Sequence, residues 1–271
     1  MGVQNQTEET RRQLEESLKT YRDLANKAPE TYLPHVAATL NDLGILDSNQ
    51  NRTENARKEF EEALKTYRKL AHKEADIYLR CVAITLNNLG ILEGTRNYLE
   101  EALRIYRQLA QKERETYLPY VATTLNNLGI LNSGKNRVNE ARKEYAEALE
   151  MYRELAQKEP ETYLPSVPMA LNNLGLLDDA QNRWDEARKE AEEALKIYRG
   201  LAAKEPEPYL PYVAATLNNL GILDRAQNRP EDARKAFEEA LKIYEAFAKQ
   251  DPDQFSPLVE RMKKLLKHLP K

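Results

Sequence analysis

The chain has 271 residues, 31% of them charged, yet the two signs nearly cancel to a net charge of -3. That balance gives no electrostatic footprint for nucleic acid or a membrane surface, and a single cysteine, Cys81, excludes an internal disulfide framework. No uninterrupted apolar run reaches the roughly 18–20 residues of a membrane span, so a soluble cytoplasmic protein is expected.

Residues 1–6 are polar and expected to fray. From Thr7, Leu14, Leu18, Tyr21 and Leu24 recur at helical spacing, and the stretch copies FEEALKTYRKLA at 60–71. The sequence thus enters in mid-repeat, on an orphan second helix at 7–28. This is expected to be either a natural cap or the remnant of a longer array with an effector domain elsewhere.

The element that recurs next is Leu-Asn-Asn-Leu-Gly. It stands at 40–44 (with Asp42 for the second Asn), 86–90, 125–129, 171–175 and 217–221, so its glycines are 46, 39, 46 and 46 residues apart. Self-similarity at such a period marks a solenoid built from one supersecondary unit. The expected repeats are 31–76, a shortened 77–115, 116–161, 162–207 and 208–253, with a cap helix at 254–271, all in one domain over 1–271.

In the first repeat Leu33, Val36, Leu40 and Leu43 form the buried stripe of a first helix, which Pro34 is expected to open. Gly44 sits inside that helix, where glycine costs about 1 kcal/mol relative to alanine. Its recurrence implies close approach of a second helix, with Ala56, Phe60, Ala63, Leu64, Tyr67 and Leu70 facing inward. Repeat two lacks seven residues between Gly90 and Ala102, close to two helical turns. A trimmed second helix should keep its inward face as Leu99, Ala102, Leu103 and Tyr106. Pro165 and Pro168 predict that the first helix of repeat four starts late or bends. After Asp251, Leu258, Val259, Met262, Leu265, Leu266 and Leu269 predict an amphipathic cap over the last apolar face.

The sets Gly44/Ala56/Phe60/Ala63, Gly129/Ala141/Tyr145/Ala148, Gly175/Ala187/Ala191/Ala194 and Gly221/Ala233/Phe237/Ala240 share one spacing. They resemble the small-residue signature of tetratricopeptide repeats, and the Thr-Leu-Asn-Asn-Leu motif resembles the kinesin-light-chain-type branch. The 46-residue period departs from the family's usual length, and the family's proline is displaced into the linker, as Pro160 and Pro206. The resemblance implies an all-α, right-handed helix-turn-helix solenoid whose first helices line a concave face.

Enzymatic chemistry is not expected. His35, His72 and His268 lack metal-ligand spacing, no glycine-rich phosphate loop exists, and Cys81 occupies a position that varies as His35, Tyr120, Ser166 and Tyr212. No cofactor or metal is expected. A non-enzymatic scaffold or adaptor, holding a protein or peptide partner in the groove, fits better.

The resemblance puts a second stripe of each first helix in that groove. It contains Asn41, Asn87, Asn126, Asn172 and Asn218, flanked by Ile45, Ile91, Ile130, Leu176 and Ile222. An amide both donates and accepts, so such a ladder could read peptide backbone, or could instead bind neighbouring repeats together. The second asparagines (Asn88, Asn127, Asn173, Asn219) are expected to be structural. Tyr120 and Tyr212 are candidate walls for apolar ligand side chains, with packing between repeats the alternative. Arg52, Arg96, Arg137, Arg183 and Arg229 form a further series that either caps the first helices or binds an acidic segment. With Trp184 it would serve the second functional reading, a regulatory subunit docking on an enzyme or on itself through a convex or arginine-bearing edge.

Overall fold

The structure, a computed structural model, describes residues 3–270. Thirteen helices follow one another among the described residues: α1 (Val3–Ala25), α2 (Pro29–Asn49), α3 (Thr53–Lys73), α4 (Ala75–Glu93), α5 (Arg96–Lys112), α6 (Arg114–Gly134), α7 (Val138–Lys158), α8 (Pro160–Tyr163), α9 (Ser166–Asp179), α10 (Trp184–Lys204), α11 (Pro206–Ala226), α12 (Pro230–Phe247) and α13 (Pro252–Lys267). They fall into two compact units, residues 1–131 and 132–271. In each unit successive helices pair and stack in chain order.

Helix α1 begins at Val3, so the segment expected to fray is helical from there; Met1 and Gly2 lie outside the described residues. First helices also start earlier than the prolines suggest. Pro29 and Pro206 open α2 and α11, which leaves Pro34 and Pro211 inside the helix. Pro160 and Pro206, expected in linkers, occupy the first helical position after the single residues Glu159 and Glu205. Where two prolines fall together the helix does break: α8 ends at Tyr163 and α9 resumes at Ser166, flanking Leu164 and Pro165.

Each first helix in the full-length repeats reaches a residue in the left-handed region, namely Asn51, Asn136, Asn182 or Asn228, with φ of 56–58°. The following N–H then turns back to the last helical turn: Arg52 to the Asp47 carbonyl at 2.8 Å, Arg183 to Asp178 at 2.9 Å and Arg229 to Asp224 at 2.8 Å. This is the Schellman closure, and asparagine is tolerated there because its short polar side chain suits positive φ. Repeat two uses Gly94 (φ +59°) instead, with the Thr95 N–H on the Gly90 carbonyl at 3.0 Å.

The expected shortening of the second helix accounts for only part of the seven residues missing from repeat two. Compared with α2 and α3, α4 is two residues shorter, α5 is four shorter, and the turn loses one. Leu99, Ala102, Leu103 and Tyr106 still face inward and are buried. Helix α4 has the length and apolar composition of a membrane-crossing helix. It packs against α3 and α5 and buries Val82, Ala83, Leu86 and Leu89, while Ile77 and Ile91 are exposed.

The helix pairs close over the motif glycines. A Cβ on Gly44 would stand 2.6 Å from Phe60, one on Gly90 2.6 Å from Leu99, and one on Gly221 2.5 Å from Phe237. Those approaches are closer than any carbon tolerates, so the glycine seats the ring or isobutyl group of its partner helix. In unit 2, α13 is capped by the Asp251 carboxylate, which accepts from the Gln254 N–H at 3.0 Å. Phe255, Val259, Met262 and Leu269 close the core of α10–α12.

Candidate functional site

Three of the first motif asparagines, Asn41, Asn87 and Asn172, are engaged between successive repeats. In unit 1 the Asn41 Oδ1 accepts from Asn88 Nδ2 and Thr85 Oγ1, both at 3.3 Å, and Asn87 Oδ1 accepts from Asn127 Nδ2 at 3.1 Å. The first asparagine of one repeat thus meets the second of the next. In unit 2 Asn172 Nδ2 donates to Thr216 Oγ1 at 3.0 Å, and Asn218 Nδ2 to its neighbour Asn219 at 3.4 Å. Asn126 and Asn218 are buried, the other three partly so.

One end of these amides remains unengaged in four cases. Asn41 and Asn87 make no hydrogen bond through Nδ2 among the described residues, and the Oδ1 atoms of Asn172 and Asn218 have no partner. An amide fixed at one end holds the other in a set direction: the first pair has donors to offer, whereas the acceptors of the second pair lie buried.

The flanking apolar series is exposed. Ile45, Ile91, Ile130 and Leu176 are 40–55% accessible, while Ile222 is half-buried. Large apolar groups left in water at the same register of successive helices are more informative than scattered ones. The candidate tyrosines stack on the preceding second helix, Tyr120 on Tyr106 at 5.2 Å and Tyr212 on Tyr198 at 5.3 Å. His35 does the same on Tyr21 at 5.0 Å. Tyr120 is covered by Arg80, whose Nη2 donates to its hydroxyl at 2.6 Å, whereas Tyr212 stays exposed.

The turn arginines are tied to aspartates three residues past the motif glycine. Asp47 and Asp178 are wholly buried and Asp224 is 4% exposed. Asp47 pairs with Arg52 at 3.0 Å and with Arg11 of α1 at 3.2 Å. Asp178 pairs with Arg183 at 2.6 Å and with Arg142 of α7 at 3.0 Å. Asp224 pairs with Arg229 at 3.3 Å and with Arg188 of α10. Each aspartate therefore joins its own turn to the preceding second helix. Arg96 does not belong to the turn series: it opens α5 and binds Glu100 at 2.6 Å. Its register matches Arg11, Arg57, Arg142 and Arg188, a shift caused by the deletion.

Half-buried beside two of these aspartates are Glu59 and Glu190. Burial and the neighbouring Asp47 or Asp178 push each carboxyl up to about 7. Burial also acts on Asp178, but Arg142 and Arg183 outweigh it and hold that carboxyl below its usual range. Repeat three relieves the crowding with Asn132, whose Nδ2 donates to both Glu144 oxygens at 3.0 and 2.7 Å. This buried polar system was not read from the sequence. The Gly-to-Asp spacing of three was available there, but an aspartate near a helix end reads equally as a solvated residue.

Among the described residues no group of three or more His, Cys, Asp or Glu side chains is arranged to hold a metal. Burial pushes the Cys81 thiol up, away from thiolate chemistry. Trp184 opens α10 with 37% of its surface exposed.

No curated protein sequence matches the chain. Solved structures share the fold at low identity. BtubC (BKLC) from P. vanneervenii has a TM-score of 0.67 and 24% identity over 89% of this chain and 92% of its own. The assembly chaperone of RpL4, Acl4, has a TM-score of 0.60 and 16% identity over 94% and 91%. A kinesin-light-chain-type protein of nearly identical TPR-like repeats from Podosopora anserina has a TM-score of 0.54 and 15% identity over 80% and 97%. Two family models, both described as tetratricopeptide repeat, match residues 82–154 and 201–246, and 36–71 and 169–202. With its paired helices, glycine-seated rings and these matches, the chain belongs to the tetratricopeptide-repeat family.

Proposed function

We propose that the protein is a non-enzymatic interaction scaffold that holds a peptide segment of a partner protein along the asparagine-bearing face of its first helices. Membership of the tetratricopeptide family supports protein binding in general. The observation that carries the finer reading is the series of exposed Ile45, Ile91, Ile130 and Leu176 beside amides fixed at one end and unengaged at the other. The apolar groups would supply burial, and the Nδ2 groups of Asn41 and Asn87 would meet peptide C=O groups.

Each such hydrogen bond contributes roughly 0.5–1.5 kcal/mol net. Ordering a flexible peptide offsets much of that sum, so side-chain burial must decide affinity, and micromolar dissociation constants are expected. The turn arginines suit this role less, because Arg52, Arg183 and Arg229 already neutralise buried aspartates.

The test is affinity capture from host lysate with wild type and with Ile45→Lys/Ile91→Lys, after matching their helicity and melting. These residues are exposed, so the fold should survive the change. A partner retained by wild type and lost by the variant supports the reading. Equal retention by both moves the site to another surface.

A further inference from the structure

Repeat four departs from the others where its two helices meet. Phe60, Leu99 and Phe237 press on Gly44, Gly90 and Gly221, but the corresponding residue facing Gly175 is Ala191. The atoms nearest a Cβ on Gly175 are the Ala187 carbonyl oxygen at 3.3 Å and Glu190. The Glu190 side chain stands 3.5–3.6 Å from that position but does not fill the space left by the ring. A void of about 50 Å³ remains, with buried Gly175, Ala187 and Ala191 on one side and exposed Leu176 on the other.

Its size selects the occupant. A single water needs roughly 10–15 Å³, and an engineered cavity of about 150 Å³ takes benzene. The void is too large and apolar to be a simple water site and too small for a whole aromatic ring. Leu99 shows, in repeat two, that an isobutyl group fits against the motif glycine.

Three polar groups line the same void, Asn172, Asp179 and Asn219. Asn172 is held by its Nδ2 on Thr216, and its Oδ1 has no partner. The carboxylate of Asp179 has no ion-pair partner among the described residues, unlike its neighbour Asp178, which has two arginines. Partial burial leaves Asp179 short of both water and a countercharge, so a cation brought beside it would be favoured.

We propose that this void is a receptor pocket for one leucine-sized aliphatic side chain of a bound peptide. Asp179 faces a basic residue next to the leucine. The pocket rests on the peptide-binding reading given above and names the residue that the peptide must carry.

The test uses the full chain and four acetylated, amidated tetrapeptides: Ala-Leu-Lys-Ala, Ala-Leu-Ala-Ala, Ala-Phe-Lys-Ala and Ala-Ala-Lys-Ala. Binding is followed by chemical-shift changes at Leu176, Ala187, Ala191 and the Asn172 side-chain amide. The leucine peptides should bind about tenfold or more tightly than Ala-Ala-Lys-Ala, as expected for burying one aliphatic side chain. Ala191→Leu, which fills the void from within, should abolish that preference, and Ala191→Val should reduce it. Asp179→Asn should remove the advantage of lysine over alanine and leave the leucine preference in place. Equal shifts from the alanine and leucine peptides, an unchanged preference in folded Ala191→Leu, or no shifts at these four residues would each overturn the pocket. The Ile45→Lys/Ile91→Lys capture lies in the other unit and judges the peptide-binding reading separately.

Discussion

A single added carbon tests the helix packing most sharply. Alanine is intrinsically better than glycine in a helix by about 1 kcal/mol, so any loss on Gly→Ala measures the collision. At Gly44 and Gly221 the new Cβ meets a phenyl ring at 2.6 and 2.5 Å, and both substitutions should destabilise by about 1–3 kcal/mol. Gly175→Ala, with no ring opposite, should cost less than either. Gly200 has nothing within 4 Å, and its alanine variant should be stabilised by roughly 0.5–1 kcal/mol. Urea denaturation of the four variants gives the order directly. A Gly44→Ala protein as stable as Gly200→Ala would contradict the seating of Phe60.

Glu59 and Glu190 make stability depend on pH. Their folded pKa, raised from 4.5 to about 7, means that the folded state binds more protons than the unfolded one across that window. Their contribution is fully present below pH 4.5 and is lost as pH rises through about 7. Asp178 acts in the opposite sense and in another window, losing its contribution as pH falls below about 3.8. The melting temperature should therefore fall between pH 5 and pH 8, and Glu59→Gln/Glu190→Gln should flatten that slope. An identical slope in the double variant would show that these carboxyls are not the cause.

Elements join through two kinds of buried contact, and both can be broken one at a time. Met262 of α13 is 1% exposed within the core of α10–α12, so Met262→Ala should cost about 2–5 kcal/mol in guanidinium unfolding. An unchanged midpoint would mean that α13 does not cover that face. Asp178→Ala would leave Arg142 and Arg183 without their buried countercharge, a loss of about 3–5 kcal/mol by analogy with other broken buried pairs.

Much of this packing was legible from residue spacing. The glycine, the small residues after it and the inward faces of α3 and α5 follow from a 3.6-residue period, which the fold obeys everywhere. The distribution of the seven missing residues did not follow, because periodicity reports rotation and not which end of a helix is trimmed. Helix starts depart from expectation for a related reason: Pro34 is compatible with a first turn, but Pro29 occupies it. Arg96 stands near the end of its first helix in the sequence, but the deletion puts it in the register of Arg57 and not of the turn arginines. The asparagines were legible as a motif, yet their pairing across repeats depends on three-dimensional stacking. The void at Ala191 stands in the sequence as one small residue among the larger Phe60, Leu99, Tyr145 and Phe237, and only its emptiness gives that substitution meaning.

At the scale of the whole molecule, near-identical units are distinguished by a few substitutions. The near-neutral charge and alternating Glu and Lys of the second helices give those faces little to distinguish one repeat from the next. The first helices differ instead at Ala38, Ile84, Thr123, Met169 and Ala215, while Asn41 and its equivalents stay constant. A constant amide set with varying neighbours suits a ligand whose backbone is read uniformly and whose side chains are read locally. The most direct measurement is selection of binders from a random peptide display library, followed by chemical-shift mapping of the tightest on the full chain. The account predicts shifts at Asn41, Ile45, Asn87, Ile91, Asn172 and Leu176. Shifts confined to the charged outer faces of α3, α7 and α10, with the asparagine face unmoved, would contradict it.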